Sequence, residues 1–240
     1  MQSKQPVRPE PPECFPLSLE QLGEMNTLYA AALREVAARL ENLNQEFEWR
    51  KERNPIQHLT QRLKRPESIL EKLHRRGLAE DMDTIRQEIH DIAGIRVVCA
   101  YISDLYDMAY MLLAQEDVRL VRRKDYIAQP KPNGYRSLHL LVEVPVYLSS
   151  QKQMVPVEIQ LRTIAMDFWA SLEHELRYKA AEDTPESIRR RLTLLADKVY
   201  SADLEMQQLY QCIAHRRYVA EPDDSTGAVE SNNHERSEGI

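Results

Sequence analysis

One stretch of the sequence, residues 124–139, crowds cations, hydrogen-bond donors and two tyrosines around an Asn133-Gly134 turn. Cationic side chains neutralise phosphates, and a tyrosine ring can stack on a base. An Asn-Gly turn brings the flanking side chains together. The segment therefore predicts an anionic aromatic ligand, for which a nucleotide is the natural candidate, while a solvated basic hairpin loop is the alternative. The side chains concerned are Lys124, Lys131 and Arg136 for the phosphates and Tyr126 or Tyr135 for the base.

Two carboxylates are placed where strand-like sequence begins or continues. In residues 155–162 apolar and polar residues alternate, which puts Glu158 on one face of a strand with Gln160 and Arg162. Asp91 comes just before another strand-like run and so lies at an end of the sheet. Two carboxylates from neighbouring strands suit a hard Mg²⁺ ion that carries nucleotide phosphates. Alternatively Glu158 accepts a proton from an attacking hydroxyl, or the two acids are a surface residue and a turn cap.

The glycines exclude the common phosphate-binding loops. Only six occur, and their positions allow neither a Walker A loop nor a Rossmann fingerprint, so side chains must hold any phosphates. Two basic groups are candidates, and an ordinary solvated surface is the alternative for each. His139 is either a histidine of the strand core or a further phosphate donor. The first basic group is Arg62, Lys64, Arg65, Arg75 and Arg76; the second is Arg122, Arg123, Lys124, Lys131 and Arg136.

Length and composition predict a cytoplasmic protein with a substantial core. The chain has 240 residues, of which 42% are hydrophobic. Its net charge is −6, and residues 221–240 hold six acids and one base, so the body is near neutral and local basic clusters say more about partners. There are three cysteines without a close pair, no signal-like N-terminus and no apolar run approaching roughly 18 residues.

The chain divides into three predicted parts. Residues 1–17 form a flexible proline-rich arm, residues 18–218 the folded domain and residues 219–240 a disordered acidic tail. Helical periodicity and capping signals surround a strand-rich middle, which predicts an α/β or α+β fold with a sheet between helices. The predicted helices span 18 to about 50, 66–76, 81–90, 103–113, 163–180 and 185–216, and the predicted strands 94–101, 118–126, 137–146 and 155–162.

Five motifs then follow one another along the chain: Asp91-Ile-Ala-Gly-Ile-Arg-Val-Val, Arg122-Arg-Lys-Asp-Tyr, Pro130-Lys-Pro-Asn-Gly-Tyr-Arg-Ser-Leu-His, Val157-Glu-Ile-Gln-Leu-Arg-Thr and Trp169-Ala-Ser-Leu-Glu-His-Glu-Leu-Arg-Tyr-Lys. Together they resemble the synthetase domain of the RelA/SpoT (stringent response) family, in particular its stand-alone small alarmone synthetases. The resemblance runs from about residue 20 to residue 215. It implies a nucleotidyltransferase-like synthetase fold, with a mixed β-sheet of about five strands flanked by helices and with long N- and C-terminal helices.

The resemblance also implies a reaction and a set of site residues. The β,γ-pyrophosphate of ATP would pass to the 3′-hydroxyl of GDP or GTP, giving ppGpp or pppGpp and AMP. Asp91 resembles the Mg²⁺ ligand, and Glu158 the carboxylate that assists the metal or deprotonates the hydroxyl. The implied ATP-binding residues are Arg62, Lys64, Arg96, Arg122 and Lys124, and the implied acceptor-binding residues are Lys131, Tyr135, His139, Gln160 and Asp167.

Partners follow from the same resemblance. A homotetramer is expected, with single-stranded RNA as a candidate regulator and with neither DNA nor a membrane as a partner. Some relatives bind product allosterically through a segment in which a phenylalanine aligns with His58, so this chain departs from them there. Two alternatives keep the fold: a synthetase that modifies the 3′ end of tRNA, and a non-catalytic RNA-binding regulator. The near-neutral body argues against the first, and the presence of Asp91, Glu158 and Tyr135 against the second.

Overall fold

The structure is a computed structural model that describes residues 17–51, 53–149, 151–179 and 185–220. Nearly all of the predicted arm and the predicted tail lie outside these ranges. The elements, in chain order, are α1 (Leu19–Lys51), β1 (Ile56–Leu63), α2 (Pro66–Arg76), α3 (Met82–Glu88), β2 (Ala93–Cys99), α4 (Ile102–Leu113), β3 (Arg119–Asp125), β4 (Leu138–Tyr147), β5 (Lys152–Thr163), α5 (Ile164–Lys179) and α6 (Glu186–Ala220).

The five strands form one mixed sheet in the order β1-β2-β5-β4-β3. The central pair, β2 and β5, is parallel, and the other three pairs are antiparallel. This confirms the expected mixed sheet of about five strands between helices.

Strand β1 corrects the segment-by-segment prediction, which contains only four strands. Its sequence, Ile-Gln-His-Leu-Thr-Gln-Arg-Leu, exposes most of its residues, and the partly buried ones come three or four apart. An edge strand with this spacing lacks the period-two alternation by which a strand is recognised. The helices and the other four strands lie within a few residues of their predicted bounds.

One face of the sheet is the core face. Ile95, Ile159 and Leu140 lie side by side in register on β2, β5 and β4, and all three are buried. Helices α1 and α4 pack on this face. Because side chains alternate along a strand, the residues between these three point to the opposite face, where the polar side chains of β2, β4 and β5 lie.

Local signals at the helix ends agree with the sequence. Ser18 and Gln21 exchange hydrogen bonds of 3.0 and 3.1 Å and so form a capping box at the start of α1. Helix α2 begins at Pro66 and ends at Arg76, and the residue that follows it, Gly77, has a φ of +65°. Of two neighbouring aromatic residues of α5, Trp169 is buried and Phe168 is exposed, since consecutive residues of a helix point in different directions.

The long C-terminal helix α6 is held to the rest of the fold through Arg53. Its guanidinium group makes a two-pronged ion pair with the buried Asp104 of α4 and donates to the hydroxyl of Tyr210 on α6 at 2.8 Å. Tyr210 also stacks on Tyr101, with ring centroids 4.4 Å apart. Among the described helices, none has an apolar stretch that would reach across a lipid bilayer.

Candidate active site

Two rows of side chains cross the polar face of the sheet. The strand registers place residues of all five strands side by side, and residues directly opposite each other share a face. These rows bring residues that are far apart in the sequence within reach of one ligand. Row one is Arg62, Gly94, Glu158, Leu141 and Arg122; row two is Thr60, Arg96, Gln160, His139 and Lys124.

At the end of row one, Asp91 is held between two lysines. Lys64 Nζ lies 2.8 Å from one carboxylate oxygen and Lys72 Nζ lies 2.6 Å from the other. The backbone N–H of Lys64 donates to the carbonyl of Ile92 at 2.8 Å, which ties the end of β1 to the loop that carries Asp91. Burial raises the pKa of Asp91, but the two ammonium groups outweigh it and lower the pKa to about 2. Asp91 is therefore ionised at neutral pH.

Glu158 lies in the middle of β5 and is also kept ionised. Its carboxylate accepts a hydrogen bond from Gln160 Nε2 at 3.0 Å and lies 3.7 Å from His139 Nδ1. The contact with His139 lowers the pKa of Glu158, burial raises it and the amide of Gln160 lowers it further, with a net lowering. The negative charge of Asp91 acts on Glu158 in the opposite sense, which places the two carboxylates within electrostatic reach of each other.

Asp91 and Glu158 line two adjacent cavities. The first, of about 210 Å³, lies over β1, β2 and β5. The second, of about 200 Å³, lies between α2 and row one. Both cavities are bordered by cations, so the cleft can accept an anionic ligand next to the two carboxylates. Arg62, Lys64 and Arg96 line the first cavity; Lys72, Arg76 and Arg122 line the second.

Four of the five residues implied for ATP thus border these cavities. The fifth, Lys124, lies on β3 opposite His139 of β4, and its side chain is exposed. Lys72 was not predicted from the sequence as a residue of the site. It comes three residues after the buried Ile69 and next to the buried Leu73 on α2, so its position beside the apolar stripe was the available signal.

The residues implied for the acceptor gather around Tyr135. Its hydroxyl lies 2.8 Å from His139 Nε2 and accepts a hydrogen bond from Arg162 at 2.7 Å. Lys131 Nζ lies 4.6 Å from the centre of the Tyr135 ring and 4.7 Å from that of Tyr126. Such a group offers an aromatic face, cations and hydrogen-bonding groups to one ligand.

Arg162 and Asp167 connect the two halves of the site. Arg162 donates to Asp167 Oδ1 at 3.0 Å, and Arg96 lies 3.5 Å from the same oxygen. The side chain of Arg162 is almost fully buried, and it also donates to Gln160 at 3.3 Å. Alternation along β5 placed Arg162 on the polar face, but its contacts with Tyr135 and Asp167 depend on the fold and were not predicted.

Among the candidate phosphate ligands, Arg136 is directed away from the two cavities. The guanidinium group of Arg136 turns away from the cleft and packs on α6, where it lies 3.9 Å from the centre of the Tyr200 ring. It donates to the carbonyl of Ile127 at 3.2 Å. The position of Arg136 next to Tyr135 in the sequence was misleading, because neighbouring side chains in an extended segment point in opposite directions.

The donor set fits a hard divalent cation that shares its ligands with a substrate. Within the described ranges no group of three or more His, Cys, Asp and Glu residues could hold a metal ion. Asp91 and Glu158 offer carboxylate oxygens to the same cavities, which are the ligands that Mg²⁺ prefers. The remaining ligands would have to come from the phosphates of a bound nucleotide and from water.

Comparisons with known proteins agree on one family. The family described as "Region found in RelA / SpoT proteins" matches residues 61–183. The GTP pyrophosphokinase YwaC of Bacillus subtilis (strain 168) is 44% identical over 179 residues, which are 75% of this chain and 85% of that protein. YjbM, a GTP pyrophosphokinase of the same strain, is 37% identical over 182 residues, covering 75% of this chain and 84% of that protein.

Solved structures of small alarmone synthetases also superpose on this chain. The small alarmone synthetase 2 from Bacillus subtilis superposes with a TM-score of 0.72 at 42% identity, covering 80% of this chain and 98% of that chain. The small alarmone synthetase 1 from the same organism, bound to its product pppGpp, superposes with a TM-score of 0.72 at 35% identity and covers 84% of this chain and 100% of that chain.

Proposed function

The chain belongs to the RelA/SpoT family, and from this premise we propose that it is a (p)ppGpp synthetase of the bacterial stringent response. It transfers the β,γ-pyrophosphate of ATP to the 3′-hydroxyl of GDP or GTP and releases AMP. The enzyme is a GTP diphosphokinase, and its relatives YwaC and YjbM are named GTP pyrophosphokinases.

The observation that carries this proposal is the position of two ionised carboxylates between two groups of cations. Asp91 and Glu158 border both cavities of the cleft. Transfer of a phosphoryl group needs little covalent chemistry from the protein, and it depends mainly on positioning and on neutralising charge. A cleft with cations on both sides of two carboxylates provides both.

We assign the donor to the side of the cleft formed by β1, β2 and α2. Arg62 and Arg96 both line the first cavity, and they would hold the adenine between their guanidinium planes. Cations of both cavities and of β3 would bind the phosphates, and we add Lys72 to the expected set because it already contacts Asp91. The proposed phosphate ligands are Lys64, Lys72, Arg122 and Lys124.

We assign the acceptor to the side formed by β4 and the loop before it. The ring of Tyr135 would stack on the guanine, a contact worth about 1–3 kcal/mol. Asp167 is a candidate reader of the guanine edge, since only one of its oxygens is engaged by Arg96 and Arg162. Glu158 lies in the row next to His139 and Gln160, where it can accept the proton of the 3′-hydroxyl. Lys131, His139 and Gln160 would surround the ribose and phosphates of the acceptor.

Mg²⁺ is the proposed cofactor, and Asp91 and Glu158 are its proposed protein ligands. When bound with ATP it would supply positive charge against the negative charge that develops on the transferred group. Lys64 and Lys72, which hold Asp91 in the free protein, have the phosphates as alternative partners once ATP is bound. The two lysines can then leave the carboxylate to the cation without losing an anionic partner.

A homotetramer in the cytoplasm is the proposed state of the enzyme. Large apolar side chains are exposed along α5 and α6, which is unusual for a monomer and typical of an association surface. They include Phe168, Leu172 and Leu176 on α5 and Ile188, Leu194, Leu195, Leu204, Met206, Leu209 and Ile213 on α6.

A single assay tests the reaction. The purified protein is incubated with Mg²⁺, ATP labelled on its γ-phosphate, and GDP, GTP or tRNA as the acceptor. We expect labelled guanine nucleotide and an equal amount of AMP. Label on tRNA alone would support the alternative acceptor, and no transfer to any of the three would contradict an enzymatic function.

A further inference from the structure

We propose that helix α6 positions the acceptor-binding loop, and that Arg136, Asp197 and Tyr200 are positioning residues for the guanine nucleotide. The inference rests on the proposed function, because it takes the loop of residues 131–136 as part of the acceptor site. The three residues do not face the cleft; they act through Tyr135.

Arg136 joins the loop to α6 by two contacts, and a third contact fixes it within the connection between β3 and β4. Its guanidinium carbon lies 3.9 Å from the centre of the Tyr200 ring, and its Nη2 atom lies 3.3 Å from Asp197 Oδ1. Through Nη1 it also donates to the carbonyl of Ile127, at the start of the connection between β3 and β4. The side chain of Arg136 is only 12% exposed. A planar guanidinium held on an aromatic face and by two oxygens has one well-defined position.

The turn beside Arg136 also rests on α6. Gly134 has a φ of +89°, and a Cβ atom at this residue would lie 2.5 Å from the Cβ atom of Ala196. The turn is closed by a hydrogen bond of 2.8 Å from the N–H of Gly134 to the carbonyl of Lys131. Asn133 donates to Glu173 of α5 at 3.2 Å. The loop therefore contacts both C-terminal helices, and a glycine is required at the closest approach.

Tyr135 itself packs against these helices. A small hydrophobic cluster, separate from the main core, is formed by Trp169, Ala170 and Ala196, and the ring of Tyr135 packs against it. Trp169 braces this cluster by donating to the carbonyl of Leu192 on α6 at 3.0 Å. The ring that would stack on guanine is thus supported from behind by α5 and α6.

This arrangement prepares the acceptor site before the nucleotide arrives. When a binding loop is ordered in only a fraction of the free molecules, the apparent affinity for the ligand is the intrinsic affinity multiplied by that fraction. Arg136 and its partners increase that fraction. Loss of the contacts should weaken binding of GDP and leave binding of ATP unchanged, because the ATP side is built from β1, β2, α2 and residues of β3, which lie outside both the loop and α6.

The test is steady-state kinetics of the full-length protein, with each nucleotide varied in turn. Arg136→Lys keeps the charge but loses the planar contact, and Tyr200→Leu removes the ring; the matched control Tyr200→Phe keeps it. We expect the KM for GDP to rise roughly tenfold in the first two variants and to stay near the wild-type value in the control. The KM for ATP should change by less than about twofold in all of them.

Asp197→Asn provides a second measurement in case Arg136→Lys or Tyr200→Leu fails to fold, since Asp197 is exposed on α6. It should raise the KM for GDP by a smaller factor and leave the thermal unfolding temperature unchanged. An unchanged KM for GDP in folded variants, or an equal rise for both nucleotides, would overturn the positioning role. A wild-type protein that uses no guanine nucleotide would instead overturn the proposed function.

Discussion

Asp91 is proposed to bind a metal cation, although its carboxylate already forms ion pairs with two ammonium groups. The ion pairs remove the cost of leaving a half-buried carboxylate without a counter-charge in the free protein. They also bring Lys64 and Lys72 to the place where the phosphates are expected. The same contacts therefore stabilise the empty cleft and prepare it for the donor nucleotide.

The lowered pKa of Asp91 makes stability depend on pH. The pKa is about 2 in the folded protein and about 3.9 in an unfolded chain. The stabilisation is therefore complete above about pH 5 and is lost as the pH falls toward 2. Urea unfolding should show that the wild type loses about 1 kcal/mol more than Asp91→Asn between pH 7 and pH 3. Equal losses in the two proteins would mean that Lys64 and Lys72 do not hold the carboxylate in solution.

Replacing Glu158 by glutamine should abolish turnover without preventing binding. The amide keeps the shape of the side chain but loses the charge and the ability to accept a proton, so we expect kcat to fall on the order of 100-fold or more. The dissociation constant of GDP, measured by calorimetry, should change little. Glu143→Gln is the matched control, because Glu143 is on the neighbouring strand β4, pairs with Arg119 and lines neither cavity. Normal kcat in Glu158→Gln would refute its role.

At the scale of the elements, strand β5 shows what could be predicted from the sequence. Strict alternation placed Glu158, Gln160 and Arg162 on one face, and the structure has them there because the other face is buried. Strand β1 has no such alternation, and its partner could not be inferred from local sequence. Contacts between distant elements, such as Lys72 with Asp91, were equally out of reach because they depend on the sheet order.

A comparison of two glycines distinguishes the effect of backbone strain from the effect of contact between elements. Both Gly134 and Gly77 have positive φ, but only Gly134 lies against another helix; a Cβ at Gly77 would meet nothing within 4 Å. Each Gly→Ala change should cost on the order of 1–3 kcal/mol of unfolding free energy. We expect Gly134→Ala alone to raise the KM for GDP as well, because the turn must also move off α6. A similar KM for GDP in both variants would show that the turn does not depend on this contact.

At the scale of the whole molecule, the C-terminal helices serve the acceptor loop on one side and expose apolar residues on the other. An apolar surface of this extent favours association with other copies of the chain. The proposed tetramer would thus cover the helices that support Tyr135. Assembly and acceptor binding would then depend on the same two elements.

A charged residue on the exposed side of α6 should weaken assembly. Leu194 is 56% exposed, and a glutamate there would place a charge in an apolar interface at a cost of several kcal/mol. Light scattering should give four times the chain mass of 28.0 kDa for the wild type and a smaller mass for Leu194→Glu. Gln208→Glu, which adds the same charge at an exposed polar position, is the control. A wild-type monomer would contradict the tetramer.

The two rows that cross the five strands limit how this protein can vary. Loss or gain of one residue inside β5 would exchange every carboxylate, amide and guanidinium of that strand for an aliphatic side chain, because neighbouring positions face opposite ways. Such a change would turn the polar side chains of the site toward the core and the aliphatic side chains of the core toward the cleft. Substitutions can therefore retune individual ligands, but changes in length should be confined to the connections between strands.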